Sequence, residues 1–181
     1  DFIVTSSFEY LPGVPLFHSR DLINWNKIGH CLTKSSQIDL KKAKCSKGIY
    51  APTIRYHEGT YYMITTNTTS SSDTYGNFIV STNNPFAEWS DPIFIYREGI
   101  DPSLFWEDGR TYVQLSARDE YGNCIEQFEI NIETGEIIGD IKIITRGCGG
   151  RDAEAPHMYK INGKYYLMLA EGGTRAVSYT H

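Results

Sequence analysis

Residues 154–167 read EAPHMYKINGKYYL, and the chain contains this pattern three times. Aligned on the proline, Ala51-Pro52, Asp101-Pro102 and Ala155-Pro156 each lead to a glycine seven residues later and to a tyrosine ten residues later. The three prolines lie 50 and 54 residues apart. A repeat of about 50 residues made of short strands is typical of a β-propeller, in which each repeat forms one blade.

A helical solenoid is the alternative explanation of a fixed period. Each repeat instead contains a strand–turn–strand signal such as His57-Glu58-Gly59-Thr60, followed by aromatic and β-branched residues. An apolar stripe with a period of about 3.6 residues, which a helix would need, is absent from these segments. The sequence therefore predicts an all-β fold.

The repeats predict where the blades lie. The second and third blades are expected at about 50–96 and 100–144, and a fourth begins at Glu154. At about 50 residues a blade, the chain holds about three and a half blades, fewer than the four of the smallest closed propellers. Phe2-Ile3-Val4 matches a later part of the repeat, so the first blade is predicted to start before residue 1. We interpret 1–181 as a single partial propeller domain, truncated at the N-terminus of its first blade and lacking later blades.

Composition and charge limit the classes of partner. A hydrophobic fraction of 40% with 13% aromatic residues excludes a disordered chain. A net charge of −5 argues against nucleic acid or an anionic membrane as partner, because both need clustered Lys and Arg. No apolar stretch approaches the roughly 18 residues of a membrane-spanning helix. No signal peptide is visible, and since the amino terminus is expected to be missing, no compartment is assigned.

The four cysteines do not indicate a metal site. Cys31, Cys45, Cys124 and Cys148 show no CxxC spacing, which disfavours zinc. Cys31 and Cys45 flank one loop and could pair in an oxidising compartment, but free thiols are the favoured interpretation.

The period also predicts where chemistry is located. The innermost strand of each propeller blade starts near the central axis, so equivalent positions of successive blades converge there. The residues just before the three prolines are Tyr50-Ala51, Ile100-Asp101 and Glu154-Ala155. A tyrosine and two carboxyl groups are therefore predicted to meet at the mouth of one axial pocket.

Two acids in one pocket favour general acid catalysis. A lone Asp before Pro is commonly a turn residue, and a lone Glu is usually on the surface. Side by side, however, like charges raise the pKa of one member, and a carboxylic acid that stays protonated near neutral pH is what a general acid requires. Paired carboxyl groups in an aromatic-lined pocket point to glycoside hydrolysis. Phe8, Tyr50 and Trp106 are candidates to contact a sugar ring, with core packing as the alternative, most strongly for Trp106.

Six motifs together resemble glycoside hydrolase family 43, the β-xylosidases and α-L-arabinofuranosidases. They follow in the family's order over nearly the whole chain. The motifs are TSSFEYLPG (5–13), HSRDLINW (18–25), GIYAP (48–52), GIDPS (99–103), EAPH (154–157) and AEGGT (170–174).

The resemblance implies a five-bladed propeller and inverting hydrolysis through three acids. Glu154 matches the family's general acid, and Asp101 matches the aspartate that adjusts the pKa of that acid and orients it. Phe8 and Tyr50 match positions that line the sugar subsite, although relatives often have tryptophan in place of Tyr50. Thr174 is assigned to the same substrate-binding set. The family's general base is an Asp-Pro aspartate of the first blade, expected upstream of residue 1.

The resemblance also implies the ligands of the protein. The substrate is expected to be a xylo- or arabinoxylo-oligosaccharide, with xylose and arabinose both open, and no cofactor is required. Some members hold a central calcium ion, whose ligands would lie outside this chain, so no metal ligand is named. After Thr174 the chain is shorter than the segment expected from the family, and His181 receives no role. The oligomeric state stays open.

Two other functions remain as alternatives. A non-catalytic carbohydrate-binding propeller would keep the pocket but lack the base. A protein-binding propeller of the kelch type shares the period, but it does not explain acids on the axis.

Overall fold

The structure is a computed structural model that describes residues 1–173 and the backbone of a short strand at 179–180. It contains 14 strands within these residues and no helix, and so no helix that could cross a membrane. The strands form four antiparallel sheets, each built from strands that follow one another in the chain. The predicted all-β fold is confirmed.

Each sheet corresponds to one blade of the repeat. The first sheet contains β1 (Phe2–Val4), β2 (Gly13–His18) and β3 (Asn26–Leu32). The second contains β4 (Thr53–His57), β5 (Thr60–Asn67), β6 (Gly76–Thr82) and β7 (Ile93–Ile95). The third contains β8 (Ile100–Glu107), β9 (Arg110–Asp119), β10 (Gly122–Ile130) and β11 (Ile137–Thr145). The fourth contains β12 (Glu154–Ile161), β13 (Lys164–Glu171) and β14 (Tyr179–Thr180).

The recurring glycine of the repeat belongs to a tight hairpin turn. The central residues of the three turns are Glu58-Gly59, Asp108-Gly109 and Asn162-Gly163, with φ angles of 45° and 87°, 49° and 72°, and 52° and 75°. Two consecutive positive φ angles match the twist of the flanking strands, and glycine supplies the second without steric cost. This requirement explains why glycine recurs seven residues after each proline.

The hydrophobic core lies between the sheets. Met63 of β5 packs in one cluster with Leu16 of the first sheet, whereas its neighbour Ile64 packs in another with Leu104 of the third. Successive residues of a strand point to opposite faces, so the second sheet is buried on both sides. A smaller cluster joins the third and fourth sheets. Sheets stacked face to face in chain order are the arrangement of propeller blades.

The first strands of the repeats lie next to one another. β8 contacts both β4 and β12. We call the edge of the sheets at which these three strands begin the upper edge; β5, β9 and β13 end there because each pairs antiparallel with the strand before it. The residues before the three prolines therefore share one edge of the structure.

The four cysteines are free thiols, as the sequence favoured. Cys31 and Cys124 are buried, and Cys45 and Cys148 are exposed.

Candidate active site

The two predicted acids lie at β-bulges of the upper edge, Asp101 within its bulge and Glu154 beside its own. The pairing register is interrupted between Ile100 and Ser103 in β8, and between Glu154 and His157 in β12, where two residues stand opposite one. The residue before the proline has a φ of 54° in β8 and 49° in β12. Bulges accommodate prolines that cannot donate to the ladder, and they redirect nearby side chains. Asp101 lies one residue and Glu154 two residues before its proline, so the acids occupy neighbouring rather than identical repeat positions.

Asp101 is the more enclosed of the two acids. Burial raises the pKa of its carboxyl group above the ordinary value. The backbone N–H of Ala155 donates a hydrogen bond to this carboxyl group and partly offsets the increase. Because Ala155 directly follows Glu154, this bond ties Asp101 to the strand that carries the other acid.

The pKa of Glu154 is raised by three effects that act in the same direction. Burial contributes most, followed by the negative charges of Asp101 and Asp152. Asp152 is held in place by Asn123, whose Nδ2 donates to Oδ1 at 3.3 Å, and by an ion pair with Arg151 at 3.3 Å. Glu154 therefore keeps its proton to a higher pH than an exposed glutamate does, which suits a proton donor.

Phe8 and Tyr50 form an aromatic corner. Their ring centroids are 6.2 Å apart with the planes at 71°. The backbone of Phe8 exchanges two hydrogen bonds with Ile49, at 2.9 and 3.0 Å, which places the two rings side by side. Phe8 is 42% exposed, and the Tyr50 hydroxyl accepts a hydrogen bond from Lys47 at 3.1 Å. An exposed aromatic face of this kind can stack on a sugar ring.

Trp106 has the structural role that the sequence favoured for it. Its ring stacks on His57 with a centroid distance of 4.6 Å and packs against the core between the second and third sheets. Thr174, the fifth predicted site residue, lies outside the described residues.

The structure adds residues that the pattern did not single out. Asp152 contributes to the pKa of Glu154 from two positions upstream in the same loop. His157, in the same motif as Glu154, has a pKa lowered by burial and by Arg55, whose Nη2 lies 3.4 Å from Nδ1. Glu171 is 2% exposed and hydrogen-bonded to backbone N–H groups of the segment 147–151. The only signal for Glu171 in the sequence was its place in the AEGGT motif.

A cleft of about 570 Å³ lies between the second and third sheets at the upper edge. Its wall includes Ile100, the residue before Asp101, and the exposed rings of Tyr75 and Tyr96. Arg97 in this wall is paired with Glu126, with Nε and Oε2 2.7 Å apart. The volume falls within the roughly 300–1,000 Å³ that is usual for small-molecule sites. Among the predicted site residues that the structure describes, none lines the cleft itself.

No group of three or more His, Cys, Asp and Glu side chains that could hold a metal ion occurs within residues 1–173. The calcium site that the family resemblance implies stays a prediction for residues outside this chain.

Comparison with known proteins identifies the family. The model of glycosyl hydrolases family 43 matches residues 2–181. A non-reducing end α-L-arabinofuranosidase of Bacteroides ovatus is 41% identical, over 96% of this chain and 32% of its own length. A xylosidase/arabinosidase of Butyrivibrio fibrisolvens is 40% identical, over 96% of this chain and 35% of its own length.

Solved structures agree in fold. The crystal structure of a GH43_12 protein retrieved from capybara gut metagenome has a TM-score of 0.87 and 44% identity, over 96% of this chain and 35% of that one. The K247S mutant of a Bacillus licheniformis GH43 protein has a TM-score of 0.89 and 35% identity, over 99% of this chain and 36% of that one. The chain thus spans about a third of the length of these relatives. With a family model that covers it almost end to end, the chain belongs to glycosyl hydrolase family 43.

Proposed function

We propose that the protein is an exo-acting glycosidase of hemicellulose oligosaccharides, a β-xylosidase, an α-L-arabinofuranosidase or both, that inverts the anomeric centre. The observation that carries the proposal is the pair of acids at the upper edge, where burial and a neighbouring carboxyl group raise the pKa of Glu154. The names of the two relatives, an arabinofuranosidase and a xylosidase/arabinosidase, support the substrate class.

The environments of the two acids favour different roles. Burial raises the pKa of both acids, but the neighbouring carboxyl groups raise that of Glu154 further, whereas Asp101 receives a hydrogen bond from Ala155 that favours its ionised form. Glu154 is therefore the proton donor to the leaving oxygen, and Asp101 is the charge that keeps the proton on Glu154. After donation, repulsion from Asp101 favours reprotonation of Glu154 before the next turnover.

This chain accounts for the proton-donating half of the reaction. In an inverting glycosidase a second carboxylate activates the water that attacks the opposite face of the sugar. The family resemblance gives this role to an Asp-Pro aspartate that is not among the residues of this chain. The proposed chemistry uses carboxyl groups and water and calls for no cofactor.

The aromatic corner and the cleft suit the two parts of a substrate. The Phe8 and Tyr50 rings offer a face for the terminal pentose. The cleft, with tyrosines on its wall and with Arg97 neutralised by Glu126, suits an uncharged polyhydroxylated chain on the leaving side of the cleaved bond.

Hydrolysis of nitrophenyl β-xyloside and nitrophenyl α-arabinofuranoside by the complete protein tests the proposal. Glu154→Ala should lower kcat about 100- to 10,000-fold on substrates with poor leaving groups, which need protonation. It should largely spare dinitrophenyl glycosides, whose leaving group departs as an anion. An equal loss on both classes, or no hydrolysis of either pentoside by the wild-type protein, would contradict the proposal.

A further inference from the structure

Glu171 is a buried acid in the same blade as Glu154, at the end of β13. It is 2% exposed, and each of its carboxyl oxygens accepts a backbone N–H from the segment 147–151. Cys148 donates to Oε1, and Gly150 donates to Oε2 at 2.9 Å. One side chain therefore satisfies two backbone donors of a loop that lacks its own secondary structure.

The loop is folded tightly around this carboxyl group. A Cβ atom added at Gly147 would lie 2.2 Å from Oε1, and one added at Gly150 would lie 2.3 Å from Oε2. Neither separation allows a side chain larger than hydrogen without displacement of the loop or of Glu171. The pair of glycines and the glutamate thus fit one another closely.

The held segment leads directly to the proposed proton donor. The N–H of Gly172, next to Glu171, donates to the carbonyl of Arg151 at 2.7 Å. Two residues later the carbonyl of buried Ala153 accepts a hydrogen bond from Ser116 at 2.9 Å. Glu154 follows at once and pairs in register with Ala170, the residue before Glu171. Glu154 and the backbone that leads to it are therefore fixed against residues 170–172.

We propose that Glu171 is a positioning residue for Glu154, and that its buried carboxyl group holds the 147–153 loop so that the acid lies at the distance needed for proton transfer. The inference rests on the proposed role of Glu154 as general acid. Glu171 acts through the loop and does not touch the substrate.

Glu171→Gln tests this role with little change in shape. The amide keeps one acceptor oxygen but turns an NH2 group toward the second backbone N–H, so one of the two bonds is lost. The assay measures kcat for dinitrophenyl, nitrophenyl and phenyl β-xylosides, or the matching arabinofuranosides if these are the better substrates. These substrates differ little in size but differ in how much protonation their leaving group needs.

A displaced acid should slow only the substrates that depend on it. Small displacements of a catalytic group cost up to about 100-fold in rate, so we expect a 10- to 100-fold loss on the phenyl glycoside. We expect less than about a threefold loss on the dinitrophenyl glycoside, because its departure needs no proton. A merely structural role would lower all three rates together.

Glu107→Gln is the matched control, since the carboxyl group of Glu107 is likewise bonded within the protein, to Lys160, but lies at the end of β8 away from the upper edge. It should lower thermal stability without a dependence on the leaving group. Gly150→Ala is a second variant that keeps the Glu171 carboxyl group and displaces the loop by contact. Because Gly150 lies outside the positive-φ region, this variant has no backbone strain and should reproduce the leaving-group dependence even if Glu171→Gln fails to fold.

The outcomes separate this inference from the proposed function. If Glu154→Ala shows the leaving-group dependence while Glu171→Gln and Gly150→Ala either match wild type or slow all three substrates alike, only the positioning role is wrong. If Glu154→Ala itself slows all three substrates alike, the acid assignment is wrong.

Discussion

At the scale of single residues, the charge of Asp101 adds to the effect of burial in raising the pKa of Glu154. In its proposed role as general acid Glu154 must be protonated to act, so activity should decline as the pH rises through this pKa. Asp101→Asn removes the second largest of the effects that raise this pKa. We expect the alkaline limb of the kcat/KM profile to move to lower pH, while the effect of burial remains.

Asp119→Asn is the control for this measurement. Asp119 lies at the end of β9 in the same blade, and its carboxyl group is paired with Arg146 at 2.6 Å. The substitution removes a charge of the same sign that does not contribute to the pKa of Glu154, so the alkaline limb should stay in place. If Asp101→Asn leaves the alkaline limb unmoved, Asp101 does not adjust the pKa of Glu154.

The two acids and Tyr50 could be predicted from the sequence because they lie one or two residues before a repeated proline, whereas only its motif indicates Phe8. Asp152 and Glu171 could not be predicted, because their effects depend on contacts rather than on period. Asp152 acts on an acid two residues away through space, and Glu171 reaches back across more than 20 residues to the loop before it. The buried amide of Gln37, which donates to the carbonyl of Ser90 at 2.8 Å, lies in a polar segment that gives no sign of burial.

At the scale of elements, the aromatic corner depends on a close backbone approach at Gly48. A Cβ atom there would lie 2.3 Å from the carbonyl oxygen of Phe8, and the φ of Gly48 is 96°. Gly48→Ala should reduce the free energy of unfolding by about 3 kcal/mol or more, from the contact and from a positive φ together. It should also raise KM, because Phe8 and Tyr50 move apart.

Gly59→Ala provides the comparison, since Gly59 has a φ of 87° but nothing within 4 Å of an added Cβ. Only backbone strain of about 1–2 kcal/mol is expected there. Chemical denaturation of both variants measures the difference. Equal losses of stability, with an unchanged KM for Gly48→Ala, would show that the contact with Phe8 is unimportant.

The hairpins could be predicted from the sequence, because a turn with two positive φ angles demands the glycine that marks the repeat. The bulges in β8 and β12 could not. A proline signals that the ladder is interrupted, but it does not fix on which side the extra residue falls. The sequence places the acids one and two residues before their prolines, but only the structure shows that Asp101 lies within its bulge and Glu154 at the edge of its bulge.

At the scale of the whole molecule, the cleft between the second and third sheets should separate long substrates from short ones. Tyr96 is 91% exposed on its wall. Tyr96→Ala removes an aromatic face on which a sugar could stack. It should raise KM for xylo-oligosaccharides about 5- to 10-fold, which corresponds to roughly 1 kcal/mol, and leave KM for aryl glycosides unchanged.

Tyr56→Ala controls for the loss of an exposed tyrosine, since Tyr56 is 62% exposed on β4 and does not line the cleft. It should leave both constants at the wild-type value. If Tyr96→Ala leaves KM for oligosaccharides unchanged, the substrate does not bind in the cleft.

The period of the blades could be predicted because each needs the same turn and the same pair of buried faces. The cleft could not, since it is the gap between residues far apart in the chain, such as Thr66 and Asn123.

The three glycine hairpins lie at the ends of the strands opposite the upper edge. The turn at Asn162-Gly163 joins β12 to β13, so it is separated from Glu154 by the length of a strand. A fluorophore or an affinity peptide inserted there would report on the blade of the proposed proton donor, or immobilise the protein on a support, with the upper edge left open to solvent.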